Sequence, residues 1–309
     1  MSSAPVVVGV NDTVDARSAV LWAAQEASLT GTPLLIVHSP RRSAPSSSGG
    51  QLSTGRAADD VGRSVLDASA ALAQAQAPTV PVTVLLSHVD PAQALIDLSA
   101  QAHLIVLGPR SEPAGDPSLL ASTRILVSAH SDAPVLLLGP VSTFSPPRGI
   151  TRVVAGVAGT GAARDAVEFA AGEAVRREVM LHLVRLEAPP VLQPVPATGA
   201  VPATGAVPAT GAASRGPADP LAAELSRIRR RHPGLAVVGR CVTGEAAELL
   251  PGYSDSSTVL VLGCHHSSDR WATRLGPVST SVIHRNRGAV VVVGRVREAA
   301  TALGIAFGR

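Results

Sequence analysis

The chain has 309 residues, 46% of them apolar and 16% charged, which supplies buried cores for about two typical domains and excludes a chain disordered throughout. Only six residues are aromatic, which argues against a base-stacking surface for nucleic acid; all 26 basic residues are arginine, which rules out a phosphate-loop, Schiff-base or general-base lysine. The formal charge of +3 divides unevenly, with 7 arginines against 11 carboxylates over residues 1–147 and 19 against 12 over residues 148–309.

The opening run Val6–Val10 is short, apolar and β-branched, the pattern of a strand buried on both faces. Ala16, Ala19, Val20, Ala23, Ala24 and Ala27 follow at helical spacing as one apolar stripe. Leu34–Val37 reads as a second strand, and the Ser/Pro/Gly-rich stretch 40–55 predicts a mobile loop. A third strand is expected near Val80–Leu86, a short helix from about Pro91, and a fourth strand at Leu104–Leu107. A helix over about 122–131 and a fifth strand over 134–138 close the series.

The series then repeats. Residues 6–27 and 153–174 match at 13 of 22 positions without a gap, LIVLG at 104–108 recurs as VLVLG at 259–263, and APVLLLG at 133–139 recurs as GAVVVVG at 288–294. The second copy predicts strands at Val179–Val184, Leu235–Val242, Val259–Leu262 and 289–293, a short helix near Glu245 and another over 277–286. Alternating strands and helices with continuous apolar strands give the fold class: α/β, two tandem doubly wound five-stranded mainly parallel sheets. The expected domains are 1–142 and 148–296, with a flexible insertion at 188–216 and a tail at 297–309. Three perfect copies of VPATGA at 195–212 lie in that insertion, where Pro and Gly every six residues forbid helix and central strand. Arg227, Arg229, Arg230 and Arg231 cluster on a predicted helix and read as a solvated face.

Two loops per copy fall at the carboxyl ends of the strands, where ligands bind in open α/β sheets. After strand one stand Asn11 and Asp12 in the first copy, and Ala158, Gly159 and Thr160 in the second. After strand four run Gly108-Pro109-Arg110-Ser111 to Ala121-Ser122, and Gly263-Cys264-His265-His266 to Gly276-Pro277.

This duplication, the strand–loop–amphipathic helix opening and the long loop after strand four resemble the universal stress protein family in its tandem form. The resemblance covers nearly the whole chain apart from residues 40–55, the VPATGA insertion and the tail. It implies an adenine nucleotide alpha hydrolase-like fold, two domains self-paired through their fifth strands, and regulatory binding in stress adaptation. Family members that bind ATP carry an Asp after strand one and G-x2-G-x9-G-[ST] after strand four. In the first copy Gly108, Ser111, Ala121 and Ser122 stand at the four motif positions, and Asn11, beside Asp12, takes the place of the Asp. In the second, Gly263 and Gly276 are retained, while His266, Pro277 and Ala158 replace the middle glycine, the hydroxyl residue and the Asp. Val37 and Val184 match the position whose backbone meets adenine in nucleotide-binding members. The second copy thus keeps the better glycines, and the first the better strand-one loop and the Ser122 hydroxyl. Arg110 and Arg274 are placed to pair with an anion bidentately.

The resemblance implies ATP as the cofactor to test, with unknown protein partners besides. Neither nucleic acid nor membrane is an expected partner, and the expected location is the cytoplasm. No metal site is expected, since Cys264, His265 and His266 are adjacent and no second Cys/His cluster lies nearby. Gly159-Thr160-Gly161 is not a dinucleotide fingerprint, because Arg164 stands at the third glycine position. No nucleophile elbow and no spaced carboxylate pair is present, so an enzyme is not the expectation. Three readings stay open at this point: a nucleotide-binding regulator, a nucleotide-free protein interaction module, and a slow nucleotide hydrolase.

Overall fold

The computed structural model describes residues 3–13, 15–40, 51–109, 122–140, 149–187, 219–264 and 275–294, with side chains from residue 56 onward in the third segment. The first half runs β1 (Val6–Val10), α1 (Ala16–Thr30), β2 (Leu34–His38), α2 (Gln51–Gln76), β3 (Val82–Leu86), α3 (Pro91–Ser99), β4 (Leu104–Leu107), α4 (Thr123–His130) and β5 (Val135–Leu138). The second runs β6 (Arg152–Gly156), α5 (Gly161–Arg177), β7 (Met180–Glu187), α6 (Pro220–Arg231), β8 (Val237–Thr243), α7 (Ala246–Leu249), a 3-10 turn at Leu250–Tyr253, β9 (Thr258–Gly263), α8 (Pro277–Arg285) and β10 (Ala289–Val293).

All ten strands lie in one sheet, ordered β3-β2-β1-β4-β5-β10-β9-β6-β7-β8. Each half contributes five parallel strands, and the two sets meet where β5 and β10 run antiparallel, with Val291 opposite Leu136. Alternation along each strand divides the core into two layers. Val6, Val8 and Val10 face α1 and α2 on one side of the sheet, as Val153 and Ala155 face α5 and α6. Val7, Ile105 and Leu107 face α3 and α4 on the other, as Val154, Leu260 and Leu262 face α7 and α8. Strands covered on both faces need apolar residues at every position, which is why β4, β5 and β10 are buried throughout. The outer strands β3 and β8 keep exposed positions, among them Val84, Leu85 and Val238.

Two sequence expectations need correction. Helix α2 begins at Gln51, inside the 40–55 stretch that predicts a loop. Packing of Leu66 and Ala73 in the core beneath it holds the helix and overrides the poor propensity of its Gly55. The arginines of α6 are not simply solvated. Arg227 reaches Glu224 at 2.7 Å and Glu168 of α5 at 2.6 Å, and Arg231 reaches Glu168 at 2.8 Å. Burial alone would raise the Glu168 carboxyl, but hydrogen bonds from Arg227 and His232 and the arginine charges bring it below its ordinary value. The VPATGA repeats, the rest of the 188–216 insertion and the 297–309 tail lie outside the described residues.

A second ionic cluster joins the halves. Glu26 of α1 and Glu173 of α5 are equivalent positions of the repeat, and both bond to the buried Arg177. Arg176 adds a bond to Glu173, and the Arg177 guanidinium lies 5.6 Å from the Trp22 ring centroid. Burial pulls Arg177 down to about 10 and pushes Glu173 up, Arg176 opposing the latter. Such a cluster is held by mutual pairing, since desolvated charges cost several kcal/mol each, of order 3–5 kcal/mol when one partner is lost.

Candidate functional site

A cavity of about 720 Å³ opens at the carboxyl ends of β1, β2 and β4. Its floor and walls gather Asn11, Asp12 and Thr13 after β1, Val37 and His38 at the end of β2, Gly108 and Pro109 after β4, and Ser122, Thr123 and Arg124 at the start of α4. Ala57, Ala58 and Val61 of α2 close one side, and Pro91 and Leu95 of α3 another. This volume lies within the range of about 300–1,000 Å³ usual for small-molecule and cofactor sites.

Local chemistry fixes each wall. Asn11 Oδ1 accepts from the Thr13 backbone N–H at 3.3 Å and from the Thr13 hydroxyl at 2.7 Å, folding the loop after β1 into a tight Asx turn. Ser122 is the N-cap of α4, its hydroxyl oxygen accepting from Ile125 N at 3.4 Å. Its O–H remains a donor for an acceptor in the cavity. The His38 ring is turned back on Val10, with Nδ1 3.0 Å from the carbonyl oxygen. At Gly108 the backbone leaves room: an added Cβ would sit 3.5 Å from the nearest heavy atom, the Asp15 carbonyl oxygen. Arg124 donates to the carbonyls of Gly108 and, at 2.7 Å, Leu138.

The corresponding region of the second half is built differently. Gly263 lies against the start of α5, where a Cβ would be 2.6 Å from the Ala162 carbonyl carbon and 2.8 Å from Ala163 N. Gly159 takes a left-handed φ of +68°, with Pro220 at the head of α6 beside it. Thr160 caps α5, accepting from Ala163 N at 3.3 Å. Arg185, at the repeat position of His38, reaches Asp219 at 2.8 Å, so an ion pair links the end of β7 to the start of α6. Gly276 and Pro277 begin α8, the former without a side-chain cap and the latter at its first position, as suits a residue with no N–H to satisfy.

Of the residues singled out in the sequence, the cavity brings together Asn11, Asp12, Val37, Gly108 and Ser122. Ala158 is exposed, Val184 is buried, and Gly263, Gly276 and Pro277 stand at the element ends just described. Arg110, Ser111, Ala121, His266 and Arg274 lie outside the described residues. Cys264 is buried, and burial raises its thiol to about 11, which keeps it from being a thiolate at neutral pH. Among the described residues, no group of three His, Cys, Asp or Glu side chains is placed to hold a metal ion. No helix among them is long and apolar enough to cross a membrane.

Sequence reasoning missed His38, Arg124 and the α2 wall. His38 follows the Val37 position directly and was legible as the last residue of a strand pointing at the crevice. The reach of Arg124 depends on a contact across the sheet and had no local signal.

A crevice at the carboxyl ends of parallel strands, walled by the N-terminus of a following helix, is the place where proteins of the doubly wound α/β class bind ligands. Residues 3–139 match the model of the universal stress protein family. A universal stress protein of Mycobacterium tuberculosis is 28% identical over 298 residues, covering 94% of this chain and 96% of that protein. A universal stress protein of Mycolicibacterium smegmatis is 27% identical over 297 residues, covering 93% and 96%. The crystal structure of a universal stress protein from Archaeoglobus fulgidus has the same fold, with a TM-score of 0.68 at 15% identity, covering 96% of this chain and all of that one. The chain is thus similar to universal stress proteins over nearly its whole length, and its first half matches the family model.

Proposed function

We propose that the chain is a regulatory stress-adaptation protein whose first half binds an adenine nucleotide, with ATP as the ligand to test. The observation that carries this reading is the cavity of about 720 Å³ that collects Asn11, Asp12, Val37, Gly108 and Ser122 at one sheet edge. The residues fit such a ligand. Val37 offers backbone beside an apolar wall for a base. Asp12, beside the Asx turn of Asn11, offers acceptors for ribose hydroxyls, and Ser122 and the start of α4 offer donors for phosphate oxygens. When bound, the nucleotide supplies a triphosphate and a base as a recognition signal; the protein's part is to hold it, and no general base is assigned. The two halves, 1–142 and 148–296, act as a pseudo-dimer joined through β5 and β10, in the cytoplasm. The second half serves chiefly as the partner of the first.

Equilibrium dialysis of the full chain with ATP, followed by mass spectrometry of the retained ligand, tests this. The expected result is one nucleotide per chain, with affinity weakened by Gly108→Ala. No bound nucleotide at millimolar ATP, with the fold intact by circular dichroism, overturns it in favour of a protein interaction module. Phosphate release above background that is lost in Arg110→Ala or Arg274→Ala overturns it in favour of a hydrolase.

A further inference from the structure

Asn286 follows α8 in the second half, yet its side chain belongs to the frame of the first-half cavity. Its buried amide donates through Nδ2 to the carbonyls of Leu137 and Gly288, both at 3.3 Å, on either side of the junction between β5 and β10. The Gly288 carbonyl also accepts Gly139 N–H at 2.7 Å. Pinned in this way, Asn286 presents Oδ1 to Arg124 Nη2 at 3.2 Å. The opposite amide orientation would set an NH2 against a guanidinium and an oxygen against two carbonyls, so the network itself fixes which atom faces Arg124. Arg124 lines the cavity and also donates to the carbonyls of Gly108 and Leu138. A continuous polar chain therefore runs from the seam between the halves to the loop after β4.

Among the described residues the link runs in one direction only. In the register that lays Gly263 on Gly108 and β10 on β5, Arg124 corresponds to Ser279 and Asn286 to Ser131. Ser131 is occupied locally, its hydroxyl donating to Ala133 O at 2.7 Å. A serine is too short to replace an arginine reaching across the sheet, so among the described residues the second half shows no reciprocal arm onto its own loop.

We propose that Asn286 is a positioning residue for the first-half site: by holding Arg124 it fixes the Gly108 carbonyl and the cation at the cavity wall, so that the second half completes the site of the first. The ligand class rests on the reading above; the positioning does not. A charge-assisted hydrogen bond lost in a buried setting unfixes the guanidinium, and anion affinity falls with it. By linkage, a nucleotide in the cavity also stabilises the seam.

A double-mutant cycle in the full chain tests this, with ATP as the probe and thermal unfolding followed alongside. Asn286→Ala is expected to weaken ATP binding on the order of tenfold, and to cost nothing further in an Arg124→Met background. Unchanged affinity in Asn286→Ala, or equal losses in both backgrounds, overturns the proposal, because a merely structural asparagine acts whether or not Arg124 is present. If Asn286→Ala does not fold, Asn286→Ser takes its place in the cycle, since it removes the reach to Arg124. If the unaltered chain binds no ATP, the nucleotide reading fails separately. Hydrogen exchange at residues 108 and 123–126 then decides: faster exchange in Asn286→Ala supports positioning, and unchanged exchange overturns it.

Discussion

The first half presents an open crevice at the carboxyl ends of its strands, whereas at the matching place in the second the described residues set Gly263 against the start of α5 and pair Arg185 with Asp219. Both are built from one repeated plan, down to the left-handed residues Gly31 and Glu178 that end α1 and α5. They differ in why a glycine follows the fourth strand. At Gly108 the absent side chain leaves space beside the cavity, whereas at Gly263 the space is filled by α5. A retained motif residue can therefore record packing in one copy and line a cavity in the other. By this measure the better glycines of the second copy are no argument for a better site.

The largest effect is expected at the junction that both halves share. Arg177→Met leaves Glu26 and Glu173 buried without their common cation and should cost about 3–5 kcal/mol in chemical denaturation. Adding Glu26→Gln should recover part of that loss, and no recovery would show that the charges are not what holds the pair. Next comes the glycine contrast. Gly263→Ala should destabilise by about 1–3 kcal/mol through overlap with Ala162. Gly108→Ala should change stability by no more than about 0.5 kcal/mol while weakening ATP binding. Equal losses of stability at the two positions would erase the distinction drawn between them. The smallest effect concerns the short helices that lead into β4 and β9. Asp90 caps α3, accepting from Ala92 N at 2.9 Å and Gln93 N at 3.3 Å, so Asp90→Ala should cost about 1 kcal/mol. Glu245, at the same place before α7, makes no side-chain cap. Glu245→Ala should leave the melting temperature nearly unchanged, and Glu245→Asp should raise it.

The architecture was legible because its signals are local. Continuous Val, Leu and Ile runs announced nine of the strands to within three residues at each end, and Arg152–Gly156 followed from its match to Val6–Val10. Helix α2 was harder to see, because its first turns carry Ser, Thr and Gly and its stability comes from the sheet beneath it. The site was legible where it follows a strand end, as at Asn11, Val37 and Gly108, since strand order alone carries those residues to one edge. It was not legible where residues 162 positions apart meet, as Arg124 and Asn286 do. Nor could the spacing of a motif tell whether a glycine makes room or is itself crowded.

The cluster of Glu26, Arg177 and Glu173 also bears on how such a chain can come apart. Were two first halves to assemble with each other, Glu26 would face its own copy, and the place of Arg177 would be taken by Thr30, which has no charge to offer. Two second halves would instead crowd a pair of arginines together at one spot. Only the mixed pairing supplies one cation to two carboxylates, so covalent fusion is matched by a preference written into the contact surface itself. The modules have ceased to be interchangeable, and exchange of arms between neighbouring chains would preserve the same mixed partnership.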